Sequence, residues 1–453
     1  MTTSDIIIIG SGPGGYKAAL HAAKAGLSVV VVERNHPGGT CLNCGCIPTK
    51  TLVRNAEVAE TLRHADTFGF EPSEARVDFA KVMERKQQVI TQLRAAVASL
   101  MQSPGITYVQ GAARFVDAHT IDVNGALYTA KDIIIATGSS AKCPPIEGIE
   151  LEGVVTSTEM LEVSSVPRRL CIIGAGVIGM EFASVFSSLG SEVCVIEFLK
   201  ECLPVLDSDV AKRLRQTIAK RGVEFSMQSA VKSITRTTAE DGTPQLTVSY
   251  ERKGKTLQTE ADMVLVATGR KPNIEGLCLE TAGVEYSTRG IVTDDDFRTN
   301  VPGIYAIGDV NARCMLAHAA TFQGIHAVNT ILGKADNIRF DIMPSAVFTM
   351  PEAASVGLSE DQCKAQGIDC EVRKSFYRSN GKALAMNETE GLLKLIVDTT
   401  DSKRILGCHA FGAHSSDMIQ EVATLMNSGA GLYDLADIIH VHPTLSEILH
   451  SAS

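Results

Sequence analysis

At 453 residues the chain is longer than one ordinary core, and a rule of about 150 residues per domain gives about three domains. Its 45% hydrophobic and 21% charged residues are globular values, so disordered, collagen-like and coiled-coil readings fall away. Forty-two basic against 52 acidic residues give −10 with no basic tract, which disfavours nucleic acid and anionic membrane as partners, and no apolar stretch reaches the roughly 18–20 residues of a membrane helix.

Met1-Thr2-Thr3-Ser4 leads directly into apolar Ile6–Ile9 with no basic or Arg-rich leader, so a cytoplasmic protein is expected. The strand runs into Gly10-Ser11-Gly12-Pro13-Gly14-Gly15, then an alanine-rich helical stretch, then Val29–Val32 ending at Glu33 and Arg34. Strand, glycine turn, helix, strand and acid together read as a dinucleotide site. Gly10 makes the turn, Gly12 lets a pyrophosphate approach the backbone, and Gly15 lets the helix pack on the strand. The helix N-terminus offers unpaired N–H groups to the phosphates, and Glu33 can accept from a ribose diol.

Next comes Gly38-Gly39-Thr40-Cys41-Leu42-Asn43-Cys44-Gly45-Cys46-Ile47-Pro48-Thr49-Lys50. Pro48 suits the first turn of a helix, which places Cys46 at or just before a helix N-terminus. A thiolate there is stabilised by the dipole and becomes a competent nucleophile or electron donor. Cys41 and Cys46 are close enough for a disulfide across one turn if Gly45 lets the backbone curl. Metal ligation by Cys41, Cys44 and Cys46 is the alternative, weakened because the cluster sits inside a dinucleotide-binding unit. Inert buried thiols are a third reading. The stretch beyond predicts a helix over 82–100, with Val82, Val89, Leu93, Val97 and Leu100 as its packing face.

Later elements repeat the first ones. Leu170–Ile173 runs into Gly174-Ala175-Gly176-Val177-Ile178-Gly179, and Val193–Ile196 ends at Glu197. Gly10, Gly12, Gly15 and Glu33 map onto Gly174, Gly176, Gly179 and Glu197 at a constant offset of 164. Ile133–Ile135 with Ala136-Thr137-Gly138 likewise resembles Val264–Val266 with Ala267-Thr268-Gly269. Gly10 to Ala136 spans 126 positions and Gly174 to Ala267 spans 93, so the first half carries 33 more, expected between the Cys cluster and the 82–100 stretch. Glu197 is followed by Phe198-Leu199 rather than an arginine pair, which favours NAD over NADP. Alternation over Leu392–Val397 and Ile405–Ala410, then helical patterns at about 415–428 and 443–450, predicts a mixed sheet backed by helices.

The cysteine motif between two glycine turns resembles the class I pyridine-nucleotide disulfide oxidoreductases, and the likeness covers essentially the whole chain. Ala267-Thr268-Gly269-Arg270-Lys271-Pro272-Asn273 and Tyr305-Ala306-Ile307-Gly308-Asp309 match it, the latter as a second flavin contact. Phe348-Thr349-Met350-Pro351-Glu352 resembles the start of the family's dimerisation domain, and His442-Pro443-Thr444-Leu445-Ser446-Glu447 an active-site segment supplied by a partner subunit. The fold this implies is α/β: two Rossmann-like dinucleotide-binding domains, for FAD and NAD, plus a C-terminal α+β dimerisation domain. The expected spans are 1–145 with 272–340 for FAD, 146–271 for NAD and 341–453 for the dimer interface.

The resemblance implies that Cys41 is the interchange thiol facing substrate and Cys46 the thiol facing flavin, exchanging electrons between a dihydrolipoyl dithiol and NAD⁺. His442 would take the substrate proton, oriented by Glu447; Thr444-x-x-Glu447 also reads as a capping box. His440 is read as structural. Lys50 and Glu181 would pair beside the flavin ring. For FAD the implied contacts begin with Gly10, Gly12, Gly14, Gly15, Glu33 and Arg34, then Gly39, Thr40 and Lys50 by the cysteines. Gly111, Ala112, Thr137, Gly138 and Ser139 follow, and Gly308, Asp309, Met315, Leu316, Ala317 and His318 complete them. For NAD they are Gly174, Gly176, Val177, Ile178, Gly179 and Glu197, with Gly269 and Arg270. No metal is expected. The implied partners are a second copy of the chain and a lipoyl-bearing protein, either an E2 acyltransferase or a glycine-cleavage H protein.

Two positions depart from the pattern. Cys44 stands where the family usually carries an apolar residue, and is read as a bystander that raises sensitivity to oxidants. Gln323 replaces a common glutamate. Mercuric-ion reductases end in a vicinal Cys pair, whereas this chain ends His450-Ser451-Ala452-Ser453. Glutathione-type reductases favour NADP, against Glu197. A non-catalytic metal-binding flavoprotein would use the three clustered cysteines as ligands.

Overall fold

Isoleucine and valine dominate the strands nearest the N-terminus. Thr2–Ile9, Val29–Glu33, Ile106–Gln110 and Ala126–Ile135 lie parallel in the order 106–110, 29–33, 2–9, 126–135. Strands covered on both faces carry continuous apolar runs rather than alternation, and Ile6–Ile9, Val29–Val32 and Ile133–Ile135 are all buried. The far edge of Ala126–Ile135 is shared. Its start pairs antiparallel with Thr120–Val123, and its end pairs parallel with Ile304–Ala306.

The computed structural model describes residues 2–71, 76–238, 242 and 244–453. The chain forms two compact units. The first comprises Met1–Thr51, Met83–Lys142 and Gly269–Ile338; the second comprises Leu52–Val82, Cys143–Thr268 and Arg339–Ser453. In the first unit, helix Pro13–Lys24 packs on helix Ala317–Ile331. Their approach is close enough that a Cβ on Gly14 would stand 3.0 Å from the Ala320 carbonyl oxygen, and one on Gly324 2.8 Å from that of Gly14.

The second unit holds another parallel sheet, ordered 224–226, 192–196, 169–173, 263–266, 154–156. A three-stranded antiparallel sheet of Ser229–Thr238, Pro244–Arg252 and Lys255–Ala261 covers part of it, burying Ile234, Leu246, Val248 and Tyr250 against Cys171 and Val264. Its C-terminal part is a five-stranded sheet ordered 345–347, 353–357, 405–411, 392–398, 370–376.

Three expectations are corrected. The C-terminal sheet is antiparallel throughout rather than mixed, because turns as short as those after Val347 and Asp398 cannot return a chain for parallel pairing. Helix Ser415–Ser428 forms as expected, but the last helix covers only Glu447–His450. Helix Phe79–Leu100 buries Lys86, Ile90 and Val97, followed by Met101, while Leu93 and Leu100 are exposed. The apolar residues allowed two stripes, and the buried lysine disguised the one that packs.

Among the described residues the surplus of the first half is largely helical. Cys46–Arg63 and Phe79–Leu100 separate Glu33 from the strand at Ile106, whereas the single helix Ser208–Lys220 separates Glu197 from the strand at Glu224.

Candidate active site

The glycine turns explain themselves by contact distances. Gly10 has φ +106° and Gly174 φ +107°; added Cβ atoms would stand 2.4 Å from the Ala136 oxygen and 2.5 Å from the Ala267 oxygen. On Gly15 and Gly179 they would meet the carbonyl oxygens of Gly10 and Gly174 at 1.9 and 2.0 Å. Gly12 and Gly176 differ in kind. A Cβ on Gly12 would touch only the Gly39 Cα at 4.0 Å, and one on Gly176 nothing within 4 Å. Open space therefore lies before the helices Pro13–Lys24 and Val177–Ser188, where unpaired N–H groups and the dipole favour phosphate. Val177 and Ile178 are the first residues of the second helix.

The terminal acids repeat their two backbone bonds, and Glu33 alone also accepts from the Ser11 hydroxyl, at 2.8 Å. Glu33 accepts from the Ser11 amide at 2.9 Å and the Asn35 amide at 2.9 Å. Glu197 accepts from the Ala175 amide at 2.6 Å and the Leu199 amide at 2.7 Å. Each carboxylate ties the strand end to its glycine turn and keeps lone pairs for a ribose. Both cradles thus have the shape and donor set for a dinucleotide. Arg34 is exposed beside the first, and Gly111, next to Ala112, donates its amide to the Glu33 carbonyl.

The remaining predicted contacts of the first unit form a connected network. Thr137 donates its hydroxyl to the Asn273 carbonyl at 2.7 Å, and Asn273 returns its amide to the Thr137 carbonyl at 2.9 Å; Gly138 lies between Thr137 and Ser139. The Ser139 hydroxyl donates to Asp309. Arg270 donates to the Ser139 hydroxyl and carbonyl at 2.7 and 2.6 Å, so it stands with Asp309 in this unit, while Gly269 turns at φ +112°. Gln323 is buried, and its amide oxygen accepts from the Gly308 and Asn311 nitrogens; a glutamate could accept the same bonds. Met315 and Leu316 lead into helix Ala317–Ile331, with His318 exposed in its first turn.

The cysteine loop is built by backbone constraint. Gly38 and Gly39 take φ +96° and +60° to enter helix Gly39–Cys44, which holds Thr40, Cys41 and Cys44. Gly45 breaks it, since a Cβ there would stand 2.9 Å from the Thr40 oxygen, and helix Cys46–Arg63 starts at Cys46. Cys41 and Cys46 are thiols in side-chain hydrogen-bond contact. That contact and then burial push the Cys41 thiol well above the ordinary range, with the Lys50 ammonium, one helical turn beyond Cys46, pulling the other way. The arrangement favours a proton on Cys41, while Cys46 opens a helix, where a thiolate is stabilised by the dipole. Among the described residues no three His, Cys, Asp or Glu side chains come together as a metal-ligand group.

Two residues around this loop had no signal in the sequence. Arg94, 51 positions away, donates to the Asn43 side-chain oxygen at 2.8 Å, and Asn43 donates to the Pro37 and Gly39 carbonyls at 3.1 and 2.9 Å. Tyr16 stands beside Cys41, and its phenol is raised, burial being the largest cause.

In the second unit, His442 places Nδ1 2.9 Å from Glu447, whose other oxygen accepts the Thr444 amide at 2.8 Å. These two contacts, the Thr444 amide first, hold the Glu447 carboxyl below its usual range. Only one arm of the capping box forms, because the Thr444 hydroxyl has no partner. The His442 side chain is 79% exposed and that of His440 only 6%, bonded to Glu421 at 2.9 Å. Buried Glu181 accepts the Phe348 amide at 3.0 Å. Lys50 and Glu181 belong to different units.

A reactive dithiol inserted in one of two repeated dinucleotide cradles defines a nucleotide-dependent thiol–disulfide oxidoreductase. Family models agree: residues 4–324 match the pyridine nucleotide-disulphide oxidoreductases and residues 343–453 their dimerisation domain. The chain belongs to the pyridine nucleotide-disulphide oxidoreductase family. It is 38% identical to dihydrolipoyl dehydrogenase 1, mitochondrial, of Arabidopsis thaliana, over 99% of this chain and 90% of that one. It is 39% identical to dihydrolipoyl dehydrogenase of Bacillus subtilis, over 99% and 96%. Among solved structures, the Cu(II) complex of the HOCl-induced flavoprotein disulfide reductase RclA from Escherichia coli superposes with TM-score 0.88 at 31% identity, covering 100% of this chain and 99% of that one. No helix among the described residues is long and apolar enough to cross a membrane.

Proposed function

We propose that the chain catalyses the dihydrolipoyl dehydrogenase reaction, oxidising a dihydrolipoyl dithiol and reducing NAD⁺, with FAD as resident cofactor. The observation that carries this reading is the Cys41–Cys46 contact at a helix N-terminus, next to the first glycine turn. The relatives named dihydrolipoyl dehydrogenase, matched along almost the whole chain, support the choice of dithiol.

Residues 1–145 and 272–340 are assigned to the flavin. The Gly10–Gly15 turn, Glu33 and Asp309 are its principal holders. Residues 146–271 are assigned to NAD, on the Gly174–Gly179 turn and Glu197. A flavin held there would supply a two-electron acceptor for the thiolate and a hydride donor for a pyridinium. The chain's own residues do the sulfur chemistry. In the disulfide form, a substrate thiolate attacks the Cys41 sulfur and the S–S bond breaks. Cys46 leaves as thiolate, stabilised by the helix N-terminus and Lys50. The second substrate thiol then displaces Cys41, releasing oxidised lipoyl and leaving the enzyme dithiol.

His442 takes the substrate proton at Nε2, since Glu447 holds Nδ1 and fixes the tautomer. The matched dimerisation domain makes a homodimer the working form, and an exposed His442 suits service of the partner subunit's dithiol. The lipoyl group would arrive on an E2 acyltransferase or a glycine-cleavage H protein, in the cytoplasm. Steady-state assays of dihydrolipoamide with NAD⁺ and NADP⁺, beside glutathione disulfide with NADPH, test the reading. Turnover confined to dihydrolipoamide with NAD⁺ supports it, and turnover only with glutathione disulfide ends it.

A further inference from the structure

Strands Arg169–Ile173 and Glu192–Ile196 carry the second cradle, one ending at Gly174 and the other at Glu197. They pair in parallel, and Cys171 is the direct partner of Cys194. Direct partners stand about 4.8 Å apart and point to the same face, within the roughly 4.4–6.8 Å Cα separation of disulfides. The two thiols are in hydrogen-bond contact. The first half supplies an internal reference. The positions 164 residues earlier are Ile7 and Val30, also direct partners, so the fold asks only for apolar bulk here and does not require two thiols.

The two sulfurs are not equivalent. Cys171 is fully buried, whereas Cys194 is half-buried with its sulfur 3.6 Å from the Thr259 hydroxyl. Hydrogen bonds with Cys171 and Thr259 hold the Cys194 thiol below its ordinary value against burial, while the contact with Cys194 and burial push Cys171 up. A half-buried thiol of lowered pKa beside a second thiol suits a redox-sensing thiol and its resolving partner.

We propose that Cys171 and Cys194 form a second, reversible thiol–disulfide couple, oxidised by hydrogen peroxide, that weakens nucleotide binding by the second half. The Cys194 thiolate attacks one peroxide oxygen and the O–O bond breaks. A sulfenic acid forms, and hydroxide leaves as water with the proton lost by Cys194. The Cys171 sulfur then attacks the Cys194 sulfur. The S–S bond forms, the S–O bond breaks, and a second water leaves with the Cys171 proton. Two thiols are oxidised by two electrons and one peroxide is reduced to two waters; a dithiol reverses the step by exchange. The bond lies three residues before both Gly174 and Glu197. The usual Cα separation of a disulfide, roughly 5.5–6 Å, exceeds the about 4.8 Å between paired strands, so the bond spreads two strand ends joined by the 2.6 Å bond from the Ala175 amide to Glu197.

The inference rests on the nucleotide reading of the second half and not on the identity of the dithiol substrate. The test treats the holoprotein with graded hydrogen peroxide, alkylates remaining thiols and maps peptides by mass spectrometry. NADH affinity is titrated in parallel, before oxidation, after it, and after dithiothreitol. Expected are a 171–194 cross-linked peptide, a rise of at least about threefold in Kd for NADH, and recovery of both by dithiothreitol. Cys171→Ile and Cys194→Val, which copy Ile7 and Val30, should abolish the cross-link. Cys171→Ile should also accumulate a trappable sulfenic acid at position 194. Wild-type protein that binds NADH but forms no cross-link, or forms it without change in Kd, overturns the proposal. Thiol-form protein that binds no NADH overturns the nucleotide reading and the proposal with it.

Discussion

The two glycine-turn halves share a backbone and differ in their cargo. Their first glycines agree to a degree in φ, their added-Cβ distances agree to 0.1 Å, and their acids accept equivalent amides. Into this shared frame the first half inserts a cysteine loop and two long helices. The second keeps a single helix and carries Cys171 and Cys194 where the first has Ile7 and Val30. Backbone geometry fixes where a dinucleotide lies, and the side chains grafted around it decide which chemistry follows.

The largest contrast should come from the grafted loop. Cys46→Ser is expected to lower dihydrolipoamide-dependent NAD⁺ reduction by at least about 10³-fold, because no disulfide remains to exchange. NADH oxidation by an artificial acceptor, which bypasses the thiols, should persist; loss of both activities would mean the halves are not separable. His442→Gln should cost roughly 10²–10⁴-fold in the dithiol reaction alone. Mixed dimers of Cys41→Ser and His442→Gln subunits should recover activity, and failure to do so would count against a shared site.

The matched turns can be set against each other directly. Gly10→Ala should yield protein depleted of flavin absorbance. Gly174→Ala should stay yellow but bind NADH at least about tenfold more weakly. Each added Cβ forces a backbone shift that strains its turn by about 1–3 kcal/mol. Equal flavin loss in both would dissolve the assignment of one cradle to each cofactor. Smaller still, Arg94→Met should lower turnover by about tenfold by freeing Asn43, roughly 1.4 kcal/mol, with the flavin spectrum of the reduced enzyme altered in parallel.

These contrasts were legible to different depths in the sequence. The turns, acids and 164-residue offset were readable because a glycine forced by a 2 Å contact leaves a local mark at fixed spacing. The His442–Glu447 bond was readable because five residues separate its ends. Arg94–Asn43 and the Gln323 bonds join distant segments through one side chain, which no periodicity records. The packing face of helix Phe79–Leu100 was misread because buried Lys86 looks like a solvent residue. The antiparallel C-terminal sheet was missed because alternation reports a half-buried strand and not the direction of its neighbour.

A separate contrast, in stability rather than turnover, is a pH response of the second unit. Lys394 is buried against Asp207 at 2.7 Å, and the Asp207 amide donates to Nδ1 of buried His409. Burial pushes His409 down to about 4. A histidine kept neutral in the fold but protonated when unfolded stabilises fully above about 6.5 and progressively less as pH falls toward 4. Stability should therefore fall across that window, by up to roughly 3 kcal/mol, read as a lower melting temperature, and His409→Gln should flatten the slope. An unchanged slope would show that other groups set it.

The central claim is that electrons from a dithiol cross the Cys41–Cys46 pair on their way to a pyridine nucleotide. It is tested most directly by anaerobic titration of the purified protein with dihydrolipoamide, followed by NAD⁺, while the visible spectrum is recorded. The account predicts a yellow protein whose absorbance shifts on addition of dithiol, recovers as NADH appears on addition of NAD⁺, and does neither in Cys46→Ser. A colourless protein, or a yellow one whose spectrum ignores the dithiol, would contradict it.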